Sequence, residues 1–541
     1  MRELLLTLGH NSSAIMIEDG VIKWGYETER LTRVKSDSRF PIPHLRNNNI
    51  ELGKIDLAHV THWSPDGLLS SMGAKYWDPS DGLEGVPIHT LNAGGDRSHH
   101  DTHMAAAWAY ANSEERFPTD GSYGVVVDGF GSLGEHFSVY DLRSGTPKLI
   151  ERVRGYDTSL GLWYQYATAF MGMKMHEDEY KLLGYEAHVE SKRYAEITVY
   201  ASRTATEWLD AMAMSTYGSS YDPLYDVAAL PNVKERIFQR LSKACQDLNI
   251  GSVQKFEGRC ELALYVQTVL EHVVCIKVDR YRPKNLVLCG GVFLNVKLNK
   301  RLMGQAYGVT CAYPLAGDQG NALGLYRMAH PNWRHPTDLC FGQRVLRDVG
   351  HVPGLYVVED DQAAYELMAK HLQRVGYVNL VRGSMEFGPR ALCNTSTIAR
   401  PLVSIVDRIN YANNRNTVMP MAPVLTRQRY YQLFESTEKV WMSHRHMIMA
   451  MEHKEYPLDE IMGIAHRYKA PYKYQTSRPQ VIDRNDTLMN ALLDNFGGVL
   501  INTSFNYHGV PIVWQMPDVI HSHYAQLERD PNTTTIVIQN A

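Results

Sequence analysis

The sequence contains no apolar run long enough to cross a membrane, and it has no low-complexity segment and no short internal repeat. A membrane-spanning helix needs about 20 apolar residues, and the N-terminal run around Leu4-Leu5-Leu6 is too short even for a signal peptide. Hydrophobic residues make up 44% and charged residues 21% of the 541 residues, which is typical of a globular protein. These features predict a cytoplasmic chain of two or three domains that does not contact a membrane.

The sequence also lacks an excess of positive charge and a regular spacing of cysteines. The formal net charge is -4 at pH 7, so there is no overall positive field of the kind that non-specific nucleic-acid binding needs. A net charge of -4 still allows a local basic patch. The seven cysteines are odd in number, scattered and without a C-x-x-C pair, which predicts reduced thiols.

The most informative stretch that is present runs from residue 98 to residue 107. Its alanines predict a buried helix, on which His99 and His103 lie one turn apart on the same face. Such a pair is half of a metal site, or two histidines that simply cap a helix. Asp128 ends a β-branched strand and Asp318 lies between glycines, so each can bring a carboxylate to the same point. This donor set suits Fe(II), Mn(II) or Zn(II), among which the sequence does not choose.

A group of positive side chains follows the first predicted strands. Residues 4–9, 14–17 and 21–26 have the pattern of three strands joined by a polar turn and a hairpin. Arg30, Arg33 and Lys35 come next and suit an anionic substrate, while a solvated charged loop is the alternative.

Two glycines mark a candidate nucleotide site. Residues 286–297 contain an apolar strand, then Gly290 and Gly291, and then a helix start near Asn295. Glycine lets a backbone approach a nucleotide closely, and a helix N-terminus favours phosphate. The alternative is an ordinary tight turn.

A connector rich in proline and glycine lies between residues 335 and 353 and predicts a boundary between domains 1–350 and 351–541. The second domain is predicted to begin with an amphipathic helix over 361–376 and a strand over 377–381. Residues 386–392 then read E-F-G-P-R-A-L, which presents Arg390 from a rigid turn suited to bidentate phosphate binding. A second motif, N-T-S-F-N, covers residues 502–506.

These motifs occur in order with G-H-N-S-S-A at 9–14 and E-T-E-R-L-T-R-V-K at 27–35. Together they resemble the O-carbamoyltransferase family, which includes the Nod-factor, cephamycin and tobramycin carbamoyltransferases, over nearly the whole chain. The resemblance implies an α/β fold with two parts. The N-terminal domain would be an actin-like/Hsp70-like ATPase domain, as in the tRNA threonylcarbamoyl-transferase subunit. The C-terminal domain would be a YrdC-like α/β domain that forms carbamoyl-adenylate.

The resemblance also implies roles for individual residues. It makes His99, His103, Asp128 and Asp318 the metal ligands, with Fe(II) preferred over Mn(II) or Zn(II). The residues that it implies for binding the nucleotide and carbamoyl-adenylate are Arg390, Arg415, Arg478, Ser504, Asn506, Gly290, Gly291, Asn295 and Lys181. His10 is the candidate base that removes the acceptor's proton, and a structural histidine beside the phosphate loop is the alternative.

The sequence departs from the family pattern in two places. Asn413 and Met419 stand where the family has lysine and arginine, so two positive charges are missing beside the retained Arg415. Residues 466–478 interleave cations with tyrosines and form a longer segment than in the family. This composition suits stacking on bases with phosphate contact, a lid over ATP, or an exposed loop.

The sequence therefore predicts an ATP- and Mg-dependent O-carbamoyltransferase that uses carbamoyl phosphate and forms carbamoyl-adenylate. The acceptor hydroxyl would belong to a sugar or natural product, or to a 5-hydroxymethylpyrimidine in DNA. Two other functions stay open, a threonylcarbamoyl-type modifier of tRNA adenosine and a non-catalytic nucleotide-binding scaffold. The metal, the acceptor and the oligomeric state are not determined, with a homodimer as one option.

Overall fold

A computed structural model describes residues 1–9, 11–61, 82–90, 98–216, 230–343, 350–457, 459–466 and 475–539. These residues form an α/β protein with three large sheets, which confirms the predicted fold class. Two five-stranded sheets lie in the N-terminal part, up to residue 343, and a seven-stranded sheet lies in the C-terminal part, from residue 350. Among the described helices, none is both long and apolar enough to span a bilayer.

The first sheet begins with a meander of three antiparallel strands. Its strands are β1 (Arg2–Thr7), β2 (Ser13–Glu18), β3 (Val21–Glu27), β4 (Leu57–Thr61) and β5 (Ile88–Thr90). Their order is β3-β2-β1-β4-β5, and β1, β4 and β5 run parallel. The three predicted N-terminal strands are thereby confirmed. Short helices α1 (Thr28–Thr32) and α2 (Pro41–Asn47) follow β3.

The second sheet repeats the topology of the first. Its strands are β6 (Ser122–Val127), β7 (Glu135–Asp141), β8 (Lys148–Arg154), β9 (Asn285–Cys289) and β10 (Thr310–Ala312). The order β10-β9-β6-β7-β8 again joins a three-stranded meander to two parallel strands. Because β6 and β9 are parallel neighbours, the loops that follow them lie side by side.

Among the described residues of the N-terminal part, eight further helices surround these sheets. They are α3 (His99–Ala111), α4 (Leu160–Phe170), α5 (Glu179–Tyr185), α6 (Ser191–Thr216), α7 (Leu230–Asp247), α8 (Phe256–Asp279), α9 (Val296–Gln305) and α10 (Asn321–Ala329). Helices α3 and α10 pack very closely, because a Cβ at Gly324 would overlap the carbonyl oxygen of Thr102. Glycine at this position lets the two helices that carry site residues approach each other.

The C-terminal part contains the strands β11 (Leu355–Val358), β12 (Tyr377–Val381), β13 (Thr395–Ala399), β14 (Ala422–Leu425), β15 (Met451–Glu452), β16 (Thr476–Ser477), β17 (Gln480–Val481), β18 (Val499–Ser504) and β19 (Thr535–Ile538). Seven of them form one sheet in the order β11-β19-β12-β13-β18-β14-β17, while β15 and β16 pair with each other. The helices of this part are α11 (Asp361–Arg374), α12 (Val403–Ala412), α13 (Arg427–Leu433), α14 (Thr487–Asn495) and α15 (Met516–Leu527). The helix and strand predicted after residue 360 are confirmed, whereas the domain boundary near 350 stays a prediction.

The two parts are in direct contact. Arg30 donates a hydrogen bond to the carbonyl of Gly388 (2.8 Å), and Arg33 donates to the carbonyl of Ile512 (2.8 Å). A hydrophobic core cluster also draws residues from both parts. Side chains of the N-terminal part can therefore contribute to a site in the C-terminal part.

Candidate active site

The predicted metal ligands meet at one point in the N-terminal part, and we call His99, His103, Asp128 and Asp318 the His/Asp cluster. The Nε2 atoms of the two histidines are 3.1 Å apart. Asp128 Oδ2 lies 3.0 Å and 3.3 Å from them, and Asp318 Oδ1 lies 3.2 Å and 3.5 Å from them. The i, i+4 spacing on α3 and the strand end after β6 thus bring the four side chains together, as the sequence predicts.

Backbone and side-chain contacts orient these ligands. Ser98 caps α3 through the Asp101 backbone amide, and this fixes the start of the helix that carries both histidines. The amides of Gly129 (2.8 Å) and Gly291 (3.3 Å) donate to Asp128 Oδ1, so that Oδ2 faces the histidines. Asn321 at the start of α10 lies 3.3 Å from Asp318 Oδ1. The sequence analysis missed Asn321, although its place three residues after Asp318 is a possible signal.

The electrostatics of the His/Asp cluster favour ionised carboxylates. Burial alone lowers the pKa of His99, but Asp318 and Asp128 outweigh burial and raise it to about 10. Burial alone raises the pKa of Asp128, but hydrogen bonds from His103 and His99 outweigh it and hold the pKa far below its usual range. Ionised carboxylates are the form that binds a metal ion.

The donor set and its spacing fit a divalent transition metal. Ligand atoms about 2.0 Å from a shared tetrahedral ion lie about 3.3 Å apart. The distances of 3.0–3.5 Å within the cluster match this spacing. Nitrogen and oxygen donors together suit Fe(II), Mn(II) or Zn(II).

The C-terminal part brings together the predicted donor-site residues Arg415, Ser504 and Asn506, with Thr503 beside them. The Arg415 guanidinium donates to Thr503 Oγ1 (3.1 Å), Ser504 Oγ (2.9 Å) and Asn506 Oδ1 (2.7 Å). Ser504 Oγ in turn donates to Asn506 Oδ1 (2.6 Å). All these acceptors are neutral, so the positive charge of Arg415 is oriented but not neutralised.

Arg390 and Arg478 complete what we call the arginine cluster, together with Arg415. Burial lowers the pKa of Arg390 to about 10, and it lowers the pKa of Arg415 as well. Burial also lowers the pKa of Arg478 strongly, and the nearby charge of Arg390 lowers it further. Among the described residues, no carboxylate forms an ion pair with any of these three arginines, and Arg390 Nε lacks a hydrogen-bond acceptor.

Lysines of the N-terminal part add to this positive region. Burial lowers the pKa of Lys35, and the charge of Arg415 is among the groups that act on it. Lys181 pairs with Asp178 at 2.8 Å. Burial lowers the pKa of His508, and the charges of Lys181, Lys35 and Arg415 lower it further. His508 therefore lies among these cations, a placement that its motif-free sequence context does not reveal.

Arg30 and Arg33 both form contacts with other groups of the protein. Arg30 is 1% exposed and contacts Glu27 (3.2 Å) and Glu29 (3.5 Å). Arg33 pairs with Asp518 (3.2 Å) on α15. Both join the two parts of the chain, and their predicted role in binding an anionic substrate stays a prediction.

The double glycine lies against the His/Asp cluster. Gly290 has a φ of +96°, and a Cβ there would overlap the carbonyl oxygen of Val127. The Asn295 side chain caps α9 by accepting from Leu298 (3.0 Å) and exchanges hydrogen bonds with Gln267. These contacts define structural roles for Gly290 and Asn295. The nucleotide-binding role of Gly290, Gly291 and Asn295 stays a prediction.

Asn413 and Met419, at which the sequence departs from the family, lie in different environments. Asn413 is fully buried, and its Oδ1 accepts a hydrogen bond from Gln526 (2.6 Å). Met419 is partly exposed and packs over Gly184 of α5. The candidate base His10 and most of the basic-aromatic segment, residues 467–474, lie outside the described residues.

Comparison with known proteins agrees with this two-part arrangement. Residues 92–325 match the model of the carbamoyltransferase N-terminus, and residues 369–532 match that of the carbamoyltransferase C-terminus. Together the matches cover about three quarters of the chain. The chain belongs to the carbamoyltransferase family, and it is an enzyme that transfers a carbamoyl group.

Several curated relatives match the chain over most of its length. An uncharacterized protein of Methanocaldococcus jannaschii is 25% identical over 95% of both chains. Nodulation protein NolNO of Sinorhizobium fredii is 22% identical over 95% of this chain and 76% of its own. The 3'-hydroxymethylcephem-O-carbamoyltransferase of Amycolatopsis lactamdurans is 26% identical over 57% of this chain and 60% of its own.

Comparison with solved structures found, among others, component A of (R)-2-hydroxyglutaryl-CoA dehydratase from Acidaminococcus fermentans. It is 15% identical and covers 60% of this chain and 97% of its own, with a TM-score of 0.33.

Proposed function

We propose that this protein is an ATP-dependent O-carbamoyltransferase that takes the carbamoyl group from carbamoyl phosphate and transfers it, through carbamoyl-adenylate, to a hydroxyl. The observation that carries the proposal is the arginine cluster. Its three partly buried guanidinium groups have no carboxylate partner among the described residues. Buried charges are normally paired, so this region calls for an anionic ligand, and phosphate groups fit it best.

The arginine cluster would activate the donor. Arg415 is held by three neutral acceptors, which leaves its charge available for a phosphate of ATP or carbamoyl phosphate. Arg390 and Arg478 would neutralise the remaining phosphate charge. Lys35 reaches this region from the N-terminal part, so it would replace one of the two cations that are missing at Asn413 and Met419.

The His/Asp cluster would serve the transfer step. A divalent metal bound by its four ligands would act as a Lewis acid and as a template for phosphate oxygens. The amides of Gly129 and Gly291 would keep Asp128 in its binding orientation. His10 remains the predicted base for the acceptor hydroxyl.

We favour a small hydroxylated molecule as the acceptor, because the relative from Amycolatopsis lactamdurans is named for a hydroxymethyl group on a small molecule. The DNA alternative depends on the segment 466–478, of which residues 467–474 lie outside the described residues.

The test is a paired incubation of the protein with ATP and carbamoyl phosphate, followed by mass spectrometry of the acceptors. One tube contains hydroxylated sugars, aminoglycosides and hydroxymethyl-cephems, and the other contains DNA with 5-hydroxymethylcytosine. We expect one carbamoyl mass on a small molecule and release of AMP. A carbamoylated nucleoside would overturn the small-molecule acceptor, and threonine-dependent AMP release would favour the tRNA modifier. Failure to form any carbamoyl-adenylate would overturn the proposed donor chemistry.

A further inference from the structure

A second group of potential metal ligands lies on the first sheet, away from the His/Asp cluster. Glu3 Oε2 is 2.8 Å from His59 Nε2 and 2.9 Å from His330 Nε2. One ligand atom from each of these three residues lies within 4.8 Å of the others. We call Glu3, His59 and His330 the His/Glu cluster.

The strand register explains why these side chains meet. In the parallel pair β1 and β4, Leu5 lies opposite His59, so Glu3 and His59 share a face of the sheet. Helix α10 packs on β1 and β4, and His330 follows its last residue. On the next strand His89 lies opposite His59, and their Nδ1 atoms are 2.9 Å apart. This contact orients the His59 ring so that Nε2 faces Glu3.

The His/Glu cluster contains a buried carboxylate. Glu3 is 1% exposed and His59 is fully buried. In the described part of the chain, the Glu3 carboxylate pairs with His59 and His330 and accepts a hydrogen bond from the Tyr326 hydroxyl, and no lysine or arginine forms an ion pair with it. A buried carboxylate is stabilised by a cation, and a metal ion bound jointly with the two imidazoles would supply that charge.

We propose that Glu3 Oε2, His59 Nε2 and His330 Nε2 bind a divalent cation of the Zn²⁺ type, with water as the fourth ligand. Two histidines and one glutamate form a known three-ligand zinc set, and ligating histidines typically have a hydrogen-bond partner on the other ring nitrogen, as His59 has in His89. The His330 side chain is 31% exposed, which gives the ion access from solvent. The N···O distances need to lengthen by only about 0.4 Å to reach tetrahedral ligand spacing.

The proposed site has a structural consequence. Asp318 lies just before α10 and His330 just after it, so metal sites would lie at both ends of a helix of 9 residues. At about 1.5 Å per residue, the two ends are about 14 Å apart. A cation in the His/Glu cluster would fasten the C-terminal end of α10 to the first sheet. This proposal does not depend on the carbamoyl-transfer chemistry.

The test measures metal stoichiometry in the full-length protein after removal of metal with a chelator. Calorimetric titration with Zn²⁺ should give two sites in the wild type, one in His330→Ala and one in His103→Ala. His521→Ala, an exposed histidine on α15, should keep both. In His330→Cys loaded with Co²⁺, a sulfur-to-cobalt charge-transfer band should appear that the wild type lacks.

Two results would overturn the proposal. One is equal Zn²⁺ stoichiometry and affinity in the wild type and His330→Ala, with a site lost only in His103→Ala. The other is a folded, Co²⁺-loaded His330→Cys protein without the charge-transfer band. Either result would mean that the His/Glu cluster is a hydrogen-bonded network only. Glu3→Gln, which is nearly isosteric, repeats the stoichiometry test if His330→Ala does not fold.

Discussion

The His/Asp cluster of the N-terminal part and the arginine cluster of the C-terminal part have opposite chemistry. In the first, the Nε2 atoms of two imidazoles lie 3.0–3.5 Å from two carboxylate oxygens and 3.1 Å from each other. The second contains three guanidinium groups without a carboxylate partner among the described residues. The first is therefore suited to a metal cation and the second to phosphate anions.

The two clusters also differ in how the fold builds them. The His/Asp cluster lies entirely within the N-terminal part, at a helix start, a strand end and a turn that backbone amides hold in place. The arginine cluster lies where Lys35 and Lys181 of the N-terminal part approach Arg415. This difference agrees with the proposed function, in which the C-terminal part activates the donor and the N-terminal part completes the transfer.

Arg415→Ala should have the largest effect on donor activation. It removes at least two charge-assisted interactions with phosphate, about 4 kcal/mol in total, so formation of carbamoyl-adenylate should fall about 10³-fold. Metal binding should be unchanged, because Arg415 does not contact the His/Asp cluster. Pyrophosphate release measures the rate. Exposed Arg484→Ala is the matched control, and a rate within a few-fold of wild type in Arg415→Ala would remove the arginine cluster from the donor site.

Asp318→Asn should affect the His/Asp cluster and leave the arginine cluster unchanged. Replacing a carboxylate ligand with a neutral amide should weaken metal binding by about 10²-fold or more, at least as much as the loss of a group that only hydrogen-bonds to a ligand. Metal affinity by calorimetry and pyrophosphate release by the same protein are the two measurements. An equal loss of both would contradict the division between the clusters.

Asn413→Lys restores the charge that the family has at this position, but it should destabilise the chain. Asn413 Oδ1 accepts from Gln526, whose own oxygen accepts from Asn379, in a fully buried chain of amides. A lysine there would break this chain and bury an ammonium group, at a cost of about 2–3 kcal/mol. Chemical denaturation measures the loss. Met419→Arg, at a partly exposed position, is the control that should keep wild-type stability.

The contact between the two parts should weaken in acid through His446. This buried ring contacts Tyr110 Oη at 2.9 Å, and burial lowers its pKa to about 3. Since the unfolded value is about 6.5, its contribution to stability is present above that pH and is lost as the pH falls toward 3. Between pH 7 and pH 5 the wild type should lose about 2 kcal/mol more than His446→Gln. Equal pH dependence in urea denaturation would exclude this effect.

Local sequence pattern predicted the His/Asp cluster well. Helical spacing fixes the geometry of His99 and His103, and parallel strand ends bring Asp128 to the same edge. The motif around Ser504 and Asn506 likewise led to the contacts of Arg415. Such patterns involve residues that are close in sequence, so they can be recognised without knowledge of the tertiary fold.

Contacts between distant segments could not be predicted from pattern. Arg30 and Arg33 looked like free cations, but they bind carbonyls about 360 and 480 residues further along the chain. The His/Glu cluster was missed because Glu3, His59 and His330 share no motif and meet only through strand register and the end of α10. The burial of Asn413 depends in the same way on Gln526 of α15.

The most direct test of the separate roles of the two clusters measures both donor activation and carbamoyl transfer in the variant His103→Ala. The variant is incubated with ATP, labelled carbamoyl phosphate and the identified acceptor, and carbamoyl-adenylate and carbamoylated product are measured in the same tube. We predict carbamoyl-adenylate formation within a few-fold of wild type and a loss of product of about 10³-fold or more. Equal loss of both steps in a folded variant, or normal product formation, would contradict the account.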